Sequence, residues 1–387
     1  MGMIETIILH TAEADDPETA VSDILAQLKK SQLKKNSIGL ISCFADFISS
    51  GVVSALAEKL PFSIAGTTTL AAAATGAQGE ILLIITVLTS DDVEFDVGIT
   101  GPISEEDDTP LKAAWDKITG KRAEKPSLML SFAPLLMNVS ADFFVEAWDA
   151  ITGKVPNFGT LAVDHNPDYH EAQTILNGEV SRDRYVFILC YGKVDPLFFI
   201  AGIAQEKAFK EKGIVTASTG NQLKGVNGIS VAQYLTSLGL EKDENGSIKG
   251  INSYPFILDY KDGTQPVIRV MFAITPDGSA VCGGKIPVGA ELTVGFINAE
   301  GVLAFSEEAL KTVVPKAAGR SVLIFSCIGR YFSLGFDQNA EMDKTAQVLG
   351  DDHFHLSYSG TELCPVYGKD GKIANRSHND TMVICVL

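Results

Sequence analysis

Three apolar segments of the chain end in similar short polar stretches. They are Ser37–Phe47, Leu128–Pro134 and Ser321–Arg330, and in each the apolar run leads to a serine that is followed by cysteine or phenylalanine. A short apolar run bounded by turn-forming residues is typical of a buried β-strand. In open α/β sheets, ligands bind beyond the carboxyl ends of the strands. We therefore expect a site where the third segment ends, at Cys327 and Arg330, although an ordinary core strand would show the same apolar pattern.

The elements that follow each of these strands come in the same order. A helix-like segment is followed by a turn with glycine and threonine, and then by a closing apolar strand. The helices are predicted at Ser54–Leu60, Ala141–Ile151 and Asn339–Leu349, the turns at Ala65–Thr68, Phe158–Thr160 and Tyr358–Glu362, and the closing strands at Ile81–Leu88, Tyr185–Cys190 and Thr381–Leu387. Because internal repetition indicates duplicated units, we predict an α/β fold with mixed sheets built from three related β-α-β-β units.

A different pattern precedes the third unit. Short apolar stretches separated by Asp-Gly pairs are typical of β-hairpins. The stretches are Phe256–Tyr260, Val267–Ile274, Ser279–Cys282 and Leu292–Phe296, and the turns are Asp262-Gly263 and Asp277-Gly278. We predict an antiparallel β insert here. We divide the chain into a first domain, residues 1–220 with two repeat units, and a second domain, residues 221–387 with the insert and the third unit.

Charge and cysteine content narrow the function classes. The formal net charge is −17, which disfavours binding to nucleic acid or to an anionic membrane surface, because both need a basic patch. The sequence has no run of eighteen apolar residues and no secretory signal pattern, so we expect no membrane insertion. Six cysteines without a CxxC pair suit reduced thiols and give no support for a structural zinc site. We predict a cytoplasmic protein.

Four short motifs are spread along the chain: Gly66–Thr68 (GTT), Phe325–Arg330 (FSCIGR), Tyr358–Glu362 (YSGTE) and His378–Thr381 (HNDT). They are similar to motifs of the FIST family of sensory domains, except that Thr361 separates the family's Gly-Glu pair here. The resemblance covers nearly the whole chain as an N-terminal and a C-terminal FIST region. It implies a stand-alone sensor of a small ligand, with amino acids as the usual suggestion, and a signalling protein as partner.

The resemblance places the ligand at these motifs. Arg330 would hold a carboxylate through paired hydrogen bonds, which arginine forms better than lysine. Glu362 would take an ammonium group, and Tyr358 would offer an aromatic face or a hydroxyl. The other ligand-binding residues that we predict are Cys327, His378, Asn379, Thr381, Gly66 and Thr67. The alternative is an internal salt bridge between Arg330 and Glu362 that only ties two loops together.

Two other functions would use some of the same residues. An enzyme would use Cys327 as its nucleophile, which needs a thiol pKa lowered by a nearby cation. A haem-based gas sensor would use His378 or His165 as the iron ligand, and haem is the one cofactor that we consider. His353 and His355 would share one face of a strand, but no third ligand follows at a suitable spacing, so we predict no metal site.

Overall fold

The structure is a computed structural model that describes residues 4–120, 122–203, 208–244 and 247–387. Its first unit alternates strands with helices and ends with a hairpin and a long closing strand. The elements are β1 (Glu5–Thr11), α1 (Pro17–Leu28), β2 (Asn36–Cys43), α2 (Asp46–Ser49), α3 (Val52–Lys59), β3 (Ser63–Thr68), β4 (Ala72–Ala74), β5 (Ala77–Gly79) and β6 (Leu83–Ser90). The Asp16 side chain accepts hydrogen bonds from the first backbone N–H groups of α1, which fixes where this helix begins.

The second unit repeats this order of elements. They are β7 (Glu94–Ile99), α4 (Thr109–Thr119), β8 (Leu128–Ala133), α5 (Ala141–Thr152), β9 (Asn157–Leu161), β10 (Thr174–Leu176), β11 (Glu179–Ser181) and β12 (Val186–Tyr191). The α5 helix begins after Ser140, whose Oγ accepts the Phe143 N–H at 3.1 Å. It ends at Gly153, where a φ of +69° is accessible to glycine without strain.

The third unit starts with an edge strand and is then interrupted by the insert. The elements are β13 (Leu197–Ala201), β14 (Gly213–Thr219), β15 (Gln222–Val226), β16 (Ile229–Ser230), α6 (Val231–Ser237), a 3₁₀ turn (Ile251–Ser253), β17 (Phe256–Asp259), β18 (Val267–Arg269), β19 (Met271–Ile274), β20 (Ala280–Cys282) and β21 (Glu291–Val294). Strands β14 to β21 pair antiparallel throughout the described residues. The predicted antiparallel insert is therefore confirmed, and it begins earlier in the chain than the four strands we predicted.

The third unit resumes after the insert with a long helix. Its elements are α7 (Ala299–Ala317), β22 (Val322–Cys327), α8 (Ile328–Ser333), α9 (Ala340–Leu349), β23 (Phe354–Ser359), β24 (Glu362–Tyr367), β25 (Ile373–His378) and β26 (Met382–Val386). The α8 helix begins directly after β22, so the motif FSCIGR crosses from a strand into a helix. This junction carries Cys327 and Arg330 to the end of the sheet.

The three units exchange hairpins in a closed cycle. The sheets have the orders β1-β6-β2-β3-β10-β11, β7-β12-β8-β9-β24-β25 and β13-β26-β22-β23-β4-β5. Each sheet holds one parallel central pair among antiparallel neighbours. The hairpin at its edge comes from a different unit: the second completes the first sheet, the third completes the second, and the first completes the third. The mixed α/β fold is confirmed, and each unit adds an edge strand and a hairpin to the predicted β-α-β-β order.

Backbone hydrogen bonds join the carboxyl ends of β3, β9 and β23 in a ring. Val163 N–H donates to the Thr68 carbonyl at 3.4 Å, Gly360 N–H donates to the Leu161 carbonyl at 3.1 Å, and Tyr358 N–H donates to the Ala71 carbonyl at 3.3 Å. The polar residues that follow these strands are therefore gathered at one end of the molecule. The candidate site lies there.

The inner faces of the three sheets pack against one another. Leu40, Phe132 and Phe325 contribute one side chain from each sheet to a single buried cluster, in which Phe158 stacks on Phe325 with ring centroids 5.1 Å apart. Separate apolar clusters lie on the helix-covered outer faces. Because apolar side chains fill the interior between the sheets, ligand-binding groups are to be sought at the strand ends.

A buried ion pair ties the insert to the second and third units. The Arg269 guanidinium in β18 donates to the Asp142 carboxylate in α5 at 3.0 Å and to the Ser377 carbonyl in β25 at 2.8 Å. Since Ser377 immediately precedes the HNDT motif, the insert braces the loop that carries it.

The two predicted glycine-threonine turns at Gly66 and Gly159 are strands. Gly66 lies in β3 and pairs with Ile41 of β2, and Gly159 lies in β9 and pairs with Ser131 of β8. A Cβ atom at Gly66 would lie 1.7 Å from the Ile41 carbonyl oxygen, and one at Gly159 would lie 2.2 Å from the Ser131 carbonyl oxygen. Glycine is needed at both positions because two parallel strands approach closely. In the sequence, a glycine required for this close approach looks the same as a glycine in a turn.

The serine-cysteine pairs of the first and third units face in opposite directions. Cys43 belongs to the outer cluster under α1 and α3. Cys327 shares strand parity with Phe325 of the inner cluster, because alternate residues of a strand point to one face, and Ser326 points outward to α9. The two Ser-Cys pairs are therefore similar in sequence but do not occupy equivalent positions in the fold.

Candidate functional site

Arg330 is fully buried and is held by a glutamate of the next helix. Its Nη2 and Nε donate to Glu341 Oε1 of α9 at 2.6 and 3.0 Å. The same oxygen accepts the Ser306 hydroxyl at 2.7 Å, and Glu341 Oε2 accepts the Ser326 hydroxyl at 2.7 Å. Arg330 therefore forms an internal salt bridge, but with Glu341 and not with Glu362, so the Arg330–Glu362 bridge that we considered as an alternative is not formed. One group of the guanidinium, Nη1, has no hydrogen-bond partner among the described residues.

Glu362 is buried at the start of β24 with one oxygen bonded and one free. Oε2 accepts the Thr381 hydroxyl at 3.0 Å, whereas Oε1 has no partner among the residues that the structure describes. Burial raises the pKa of this carboxyl well above its ordinary value, and the neighbouring Asp380 carboxylate raises it further, against the opposing effects of Thr381 and Arg330. Glu362 and Thr381, which we predicted separately as ligand-binding residues, are thus in direct contact.

Asp380 brings a second buried carboxyl to the same place. It adopts a φ of +50° between β25 and β26, and its Oδ1 would lie 2.3 Å from a Cβ atom at Gly329. Its Oδ2 has no hydrogen-bond partner within the described chain. Burial raises the Asp380 pKa to about 6, and the Arg330 charge acts in the opposite direction. Two acidic groups with unmet hydrogen bonds therefore lie near one buried arginine.

Cys327 lies among these acids. Its backbone N–H donates to the Thr381 carbonyl at 2.9 Å. Burial raises the thiol pKa well above its ordinary value, and the charges of Glu362 and Asp380 raise it further. A thiol in these surroundings stays protonated, which disfavours a nucleophilic role. We refer to Cys327, Arg330, Glu362, Asp380 and Thr381 as the carboxyl cluster.

Three further predicted residues surround the cluster in structural roles. Tyr358 lies on the helix-covered face, where its ring meets Tyr331 edge-on at 4.8 Å. His378 Nε2 contacts the Cys364 carbonyl oxygen at 3.0 Å, and burial lowers the His378 pKa to about 4, so this imidazole is neutral. Asn379 donates to the His378 carbonyl at 3.1 Å. Tyr358 contacts neighbours of Arg330, and the other two brace the loop before Asp380.

Gly66 and Thr67 lie apart from the cluster. Both belong to β3 in the first sheet, where Thr67 pairs with Ser42 of β2 and with Thr174 of β10. Within the described residues, no hydrogen bond or ion pair connects them to the carboxyl cluster. Their part in ligand binding stays a prediction.

The two histidines considered for haem differ in their surroundings. His378 is buried in the contact with Cys364 described above, whereas His165 is exposed and stacks on Phe44 with ring centroids 4.7 Å apart. No group of three or more histidine, cysteine or acidic side chains that could hold a metal ion occurs in the described part of the chain. Nor does any described helix have the length and apolar character needed to cross a membrane.

Two residues of the site escaped sequence reasoning. Asp380 lies inside the motif HNDT, and the one sequence feature that could have indicated it is an acidic residue between two neutral polar residues. Glu341 lies in the first turn of α9 and is fully buried. An acid near a helix start is ordinarily explained by the helix dipole, so nothing in the sequence marks Glu341 as the partner of Arg330.

Comparison with known proteins gives two domain matches. Residues 37–229 match the FIST N domain and residues 230–365 match the FIST C domain. Among solved structures, the crystal structure of a cyanuric acid hydrolase from A. caulinodans is similar at 9% sequence identity with a TM-score of 0.39, over 100% of this chain and 99% of that chain. None of the curated proteins matches the chain. So distant a structural likeness carries no information about function.

Proposed function

Because the chain belongs to the FIST family, whose domains are small-ligand sensory domains in signal transduction, we propose that it senses an amino acid or a similar small carboxylate with an ammonium group. The ligand lies at the carboxyl cluster of the third unit. Glu362 and Asp380 hold the ammonium group, and Arg330 Nη1 donates to the carboxylate. In this proposal the protein is cytoplasmic and passes its signal to a separate signalling protein.

One observation carries the proposal: the cluster contains buried polar atoms whose missing partners are complementary to an amino acid. Among the described residues, Glu362 Oε1 and Asp380 Oδ2 have no hydrogen-bond donor, and Arg330 Nη1 has no hydrogen-bond acceptor. A buried polar group without a partner costs about 1–3 kcal/mol. A ligand with an ammonium and a carboxylate group supplies both kinds of partner and recovers that free energy.

The charges of the cluster favour a ligand that brings a positive group. Arg330 and Glu341 already neutralise each other at 2.6 Å, which leaves the two remaining acids without a counterion of their own. Burial and mutual repulsion raise the pKa of Glu362, and burial raises that of Asp380. An ammonium group between them stabilises their ionised forms, because an opposite charge within a few ångströms favours ionisation.

The proposal can be tested by thermal unfolding in the presence of amino acids, related carboxylates and related amines. A ligand at 100 times its dissociation constant stabilises the folded protein by about 2.7 kcal/mol. In a large domain this raises the unfolding midpoint by several degrees, at roughly 2–4 °C per kcal/mol. We expect a shift for compounds with both charged groups and a smaller shift for those with one.

The matched variants are Glu362→Gln and Asp149→Asn. Both replace a carboxyl group by an amide of the same shape, but Asp149 lies in α5, where it accepts the Asn375 side chain at 2.6 Å. We expect the ligand-induced shift to disappear in Glu362→Gln and to persist in Asp149→Asn. A shift of equal size in both variants would place the ligand outside the carboxyl cluster.

A further inference from the structure

The segment that carries the motif HNDT is in contact with two parts of the molecule, and we refer to residues 377–381 as the HNDT loop. Its last residues, Asp380 and Thr381, belong to the carboxyl cluster. Its first residue, Ser377, is held by the insert, because Arg269 of β18 donates to the Ser377 carbonyl at 2.8 Å and to its hydroxyl at 3.2 Å. One short loop therefore connects the insert to the candidate ligand site.

A glycine of the insert lies against the middle of the HNDT loop. A Cβ atom at Gly283 would lie 2.5 Å from Asn379 Oδ1 and 2.8 Å from a methyl group of Val270. The Gly283 backbone is itself fixed within the insert, because its N–H donates to the Val270 carbonyl at 2.9 Å. A side chain at position 283 would therefore displace the Asn379 carboxamide.

The next two residues of the insert contact the buried ion pair. A Cβ atom at Gly284 would lie 2.5 Å from Asp142 Oδ2 and 2.7 Å from Arg269 Nε. The Lys285 N–H donates to the same Asp142 oxygen at 2.6 Å. The Ser377 hydroxyl of the HNDT loop donates to the other oxygen, Asp142 Oδ1, at 2.5 Å. This segment of the insert and the start of the HNDT loop therefore share one buried anchor.

Asp380 makes the same kind of close contact with a different element. A Cβ atom at Gly329 in α8 would lie 2.3 Å from Asp380 Oδ1 and 3.6 Å from Cys327 Sγ. Successive residues of the HNDT loop are thus packed against glycines of the insert and of α8. Asp380 also has a φ of +50°, a conformation that is uncommon for residues other than glycine and persists where the surroundings determine it. A displacement of Asn379 therefore also disturbs Asp380.

We infer that the insert sets the position of Asp380 through the contact between Gly283 and Asn379, and thereby controls the ligand affinity of the carboxyl cluster. Asn379 is then a positioning residue, and the insert is the regulatory element of the site. A change in the insert that moves Gly283 alters ligand binding, and by reciprocity a bound ligand acts on the insert. The inference about affinity rests on the proposed function, but the position of Asp380 can be measured without any ligand.

The carboxyl group of Asp380 reports its own position, because its ionisation depends on its burial and on the charge of Arg330. The full chain is isotope-labelled at the aspartate carboxyl carbons, and the NMR signal of Asp380, assigned with Asp380→Asn, is followed against pH. The titratable groups that act on Asp380 are Arg330 of α8, Cys327 of β22 and Glu362 of β24. The variants below leave all three unchanged, so a shifted titration midpoint reports a displaced Asp380.

The matched variants are Gly283→Ala and Gly213→Ala. Both overpack the insert, but Gly213 lies in β14, where a Cβ atom would lie 2.3 Å from a methyl group of Val226. We expect Gly283→Ala to shift the Asp380 titration midpoint by about 0.5 pH unit or more, and Gly213→Ala to titrate like wild type. An unchanged midpoint in Gly283→Ala would overturn the inference, and so would an equal shift in both variants.

Asn379→Ala tests the same contact without adding atoms, so it decides the question even if Gly283→Ala does not fold. Loss of the carboxamide separates the HNDT loop from Gly283, and the Asp380 midpoint should shift here as well; a wild-type midpoint would contradict the inference. In the Asn379→Ala background, Gly283→Ala should shift the midpoint by about half as much or less, as expected for two residues in contact. Additive shifts would show that the two residues act independently, which the inference excludes.

Calorimetric titration then tests the control of affinity. Gly283→Ala should bind the ligand about fivefold more weakly or worse, and Gly213→Ala should bind like wild type; equal affinity in wild type and Gly283→Ala would overturn the regulatory role. A shifted Asp380 midpoint without any thermal shift from the amino-acid panel would keep the positioning of Asp380 and reject the proposed ligand. A thermal shift that Glu362→Gln abolishes, combined with an unchanged midpoint in Gly283→Ala, would keep the ligand and reject control by the insert.

Discussion

Gly329 and Asp380 lie so close together that any side chain at position 329 would displace the Asp380 carboxylate. A Cβ atom at Gly329 would be 2.3 Å from Asp380 Oδ1, well inside van der Waals contact. The relationship joins the motif FSCIGR to the motif HNDT, which are about fifty residues apart in the chain. The glycine of the first motif therefore makes room for the acid of the second.

Gly329→Ala should destabilise the protein by about 1–3 kcal/mol, the usual cost of overpacking a filled interior. The added methyl group displaces the Asp380 side chain, so ligand binding should weaken as well. Urea unfolding gives the stability change. Gly101→Ala is the control, since a Cβ atom there meets nothing within 4 Å; equal stability of the two variants would mean that the contact has no energetic importance.

Removing Arg330 alone should lower the free energy of unfolding far more than removing both members of the ion pair. In Arg330→Met, Glu341 stays buried without a counterion, which costs about 3–5 kcal/mol. The double variant Arg330→Met with Glu341→Leu should recover more than half of that loss, because two apolar side chains replace two buried charges. Denaturant unfolding of both variants measures this.

An exposed pair provides the comparison for this prediction. Lys112 and Asp116 lie 2.6 Å apart on the surface of α4, and Lys112→Ala should cost about 0.5 kcal/mol or less. If Arg330→Met lowered the free energy of unfolding as little as Lys112→Ala, the buried Arg330–Glu341 pair would not stabilise the protein as described.

Asp380→Asn should stabilise the protein near neutral pH and have little effect in acid. The folded pKa of about 6 exceeds the ordinary value of 3.8. The Asp380 carboxyl therefore contributes its full stabilisation when the pH is below 3.8, and this stabilisation is lost as the pH rises through about 6. The difference between variant and wild type should therefore grow between about pH 4 and 6 and then level off near 3 kcal/mol at most. Unfolding free energies measured across this range test it, and a difference that shrinks with rising pH would contradict it.

The hairpin exchange predicts that the two FIST regions cannot fold separately. A fragment of residues 1–229 lacks β24 and β25, which complete the second sheet, and a fragment of residues 230–387 lacks β4 and β5, which complete the third. We expect each fragment alone to show unpaired sheet edges and to aggregate or stay unfolded. Together they should form a stable complex, as size-exclusion chromatography and circular dichroism would show; two well-folded monomeric fragments would be incompatible with the exchange.

The central strands could be predicted from the sequence, but the hairpin exchange could not. The apolar runs around Leu40, Leu130 and Ile324 are buried on both faces, so their pattern is strong and local. The β4 strand is only Ala72–Ala74, and its partner is β23, almost three hundred residues away. Three alanines carry no alternation that could indicate a strand, and pairing between distant segments leaves no local signal.

The site was partly predictable for a similar reason. Arg330, Glu362 and Thr381 stand in recognisable motifs, and the structure brings the last two into contact at 3.0 Å. Glu341 and Ser306 belong to other helices and reach Arg330 only through the packing of those helices. Their positions depend on tertiary structure, which the pattern of residues along the chain does not encode locally.

The most direct test of the account is isothermal titration calorimetry with the amino acid that gives the largest thermal shift. We predict one site per chain in wild type, at least about tenfold weaker binding in Glu362→Gln, a loss of 1.4 kcal/mol or more, and unchanged affinity in Asp149→Asn. Equal affinity in wild type and Glu362→Gln would contradict the assignment of the ligand to the carboxyl cluster.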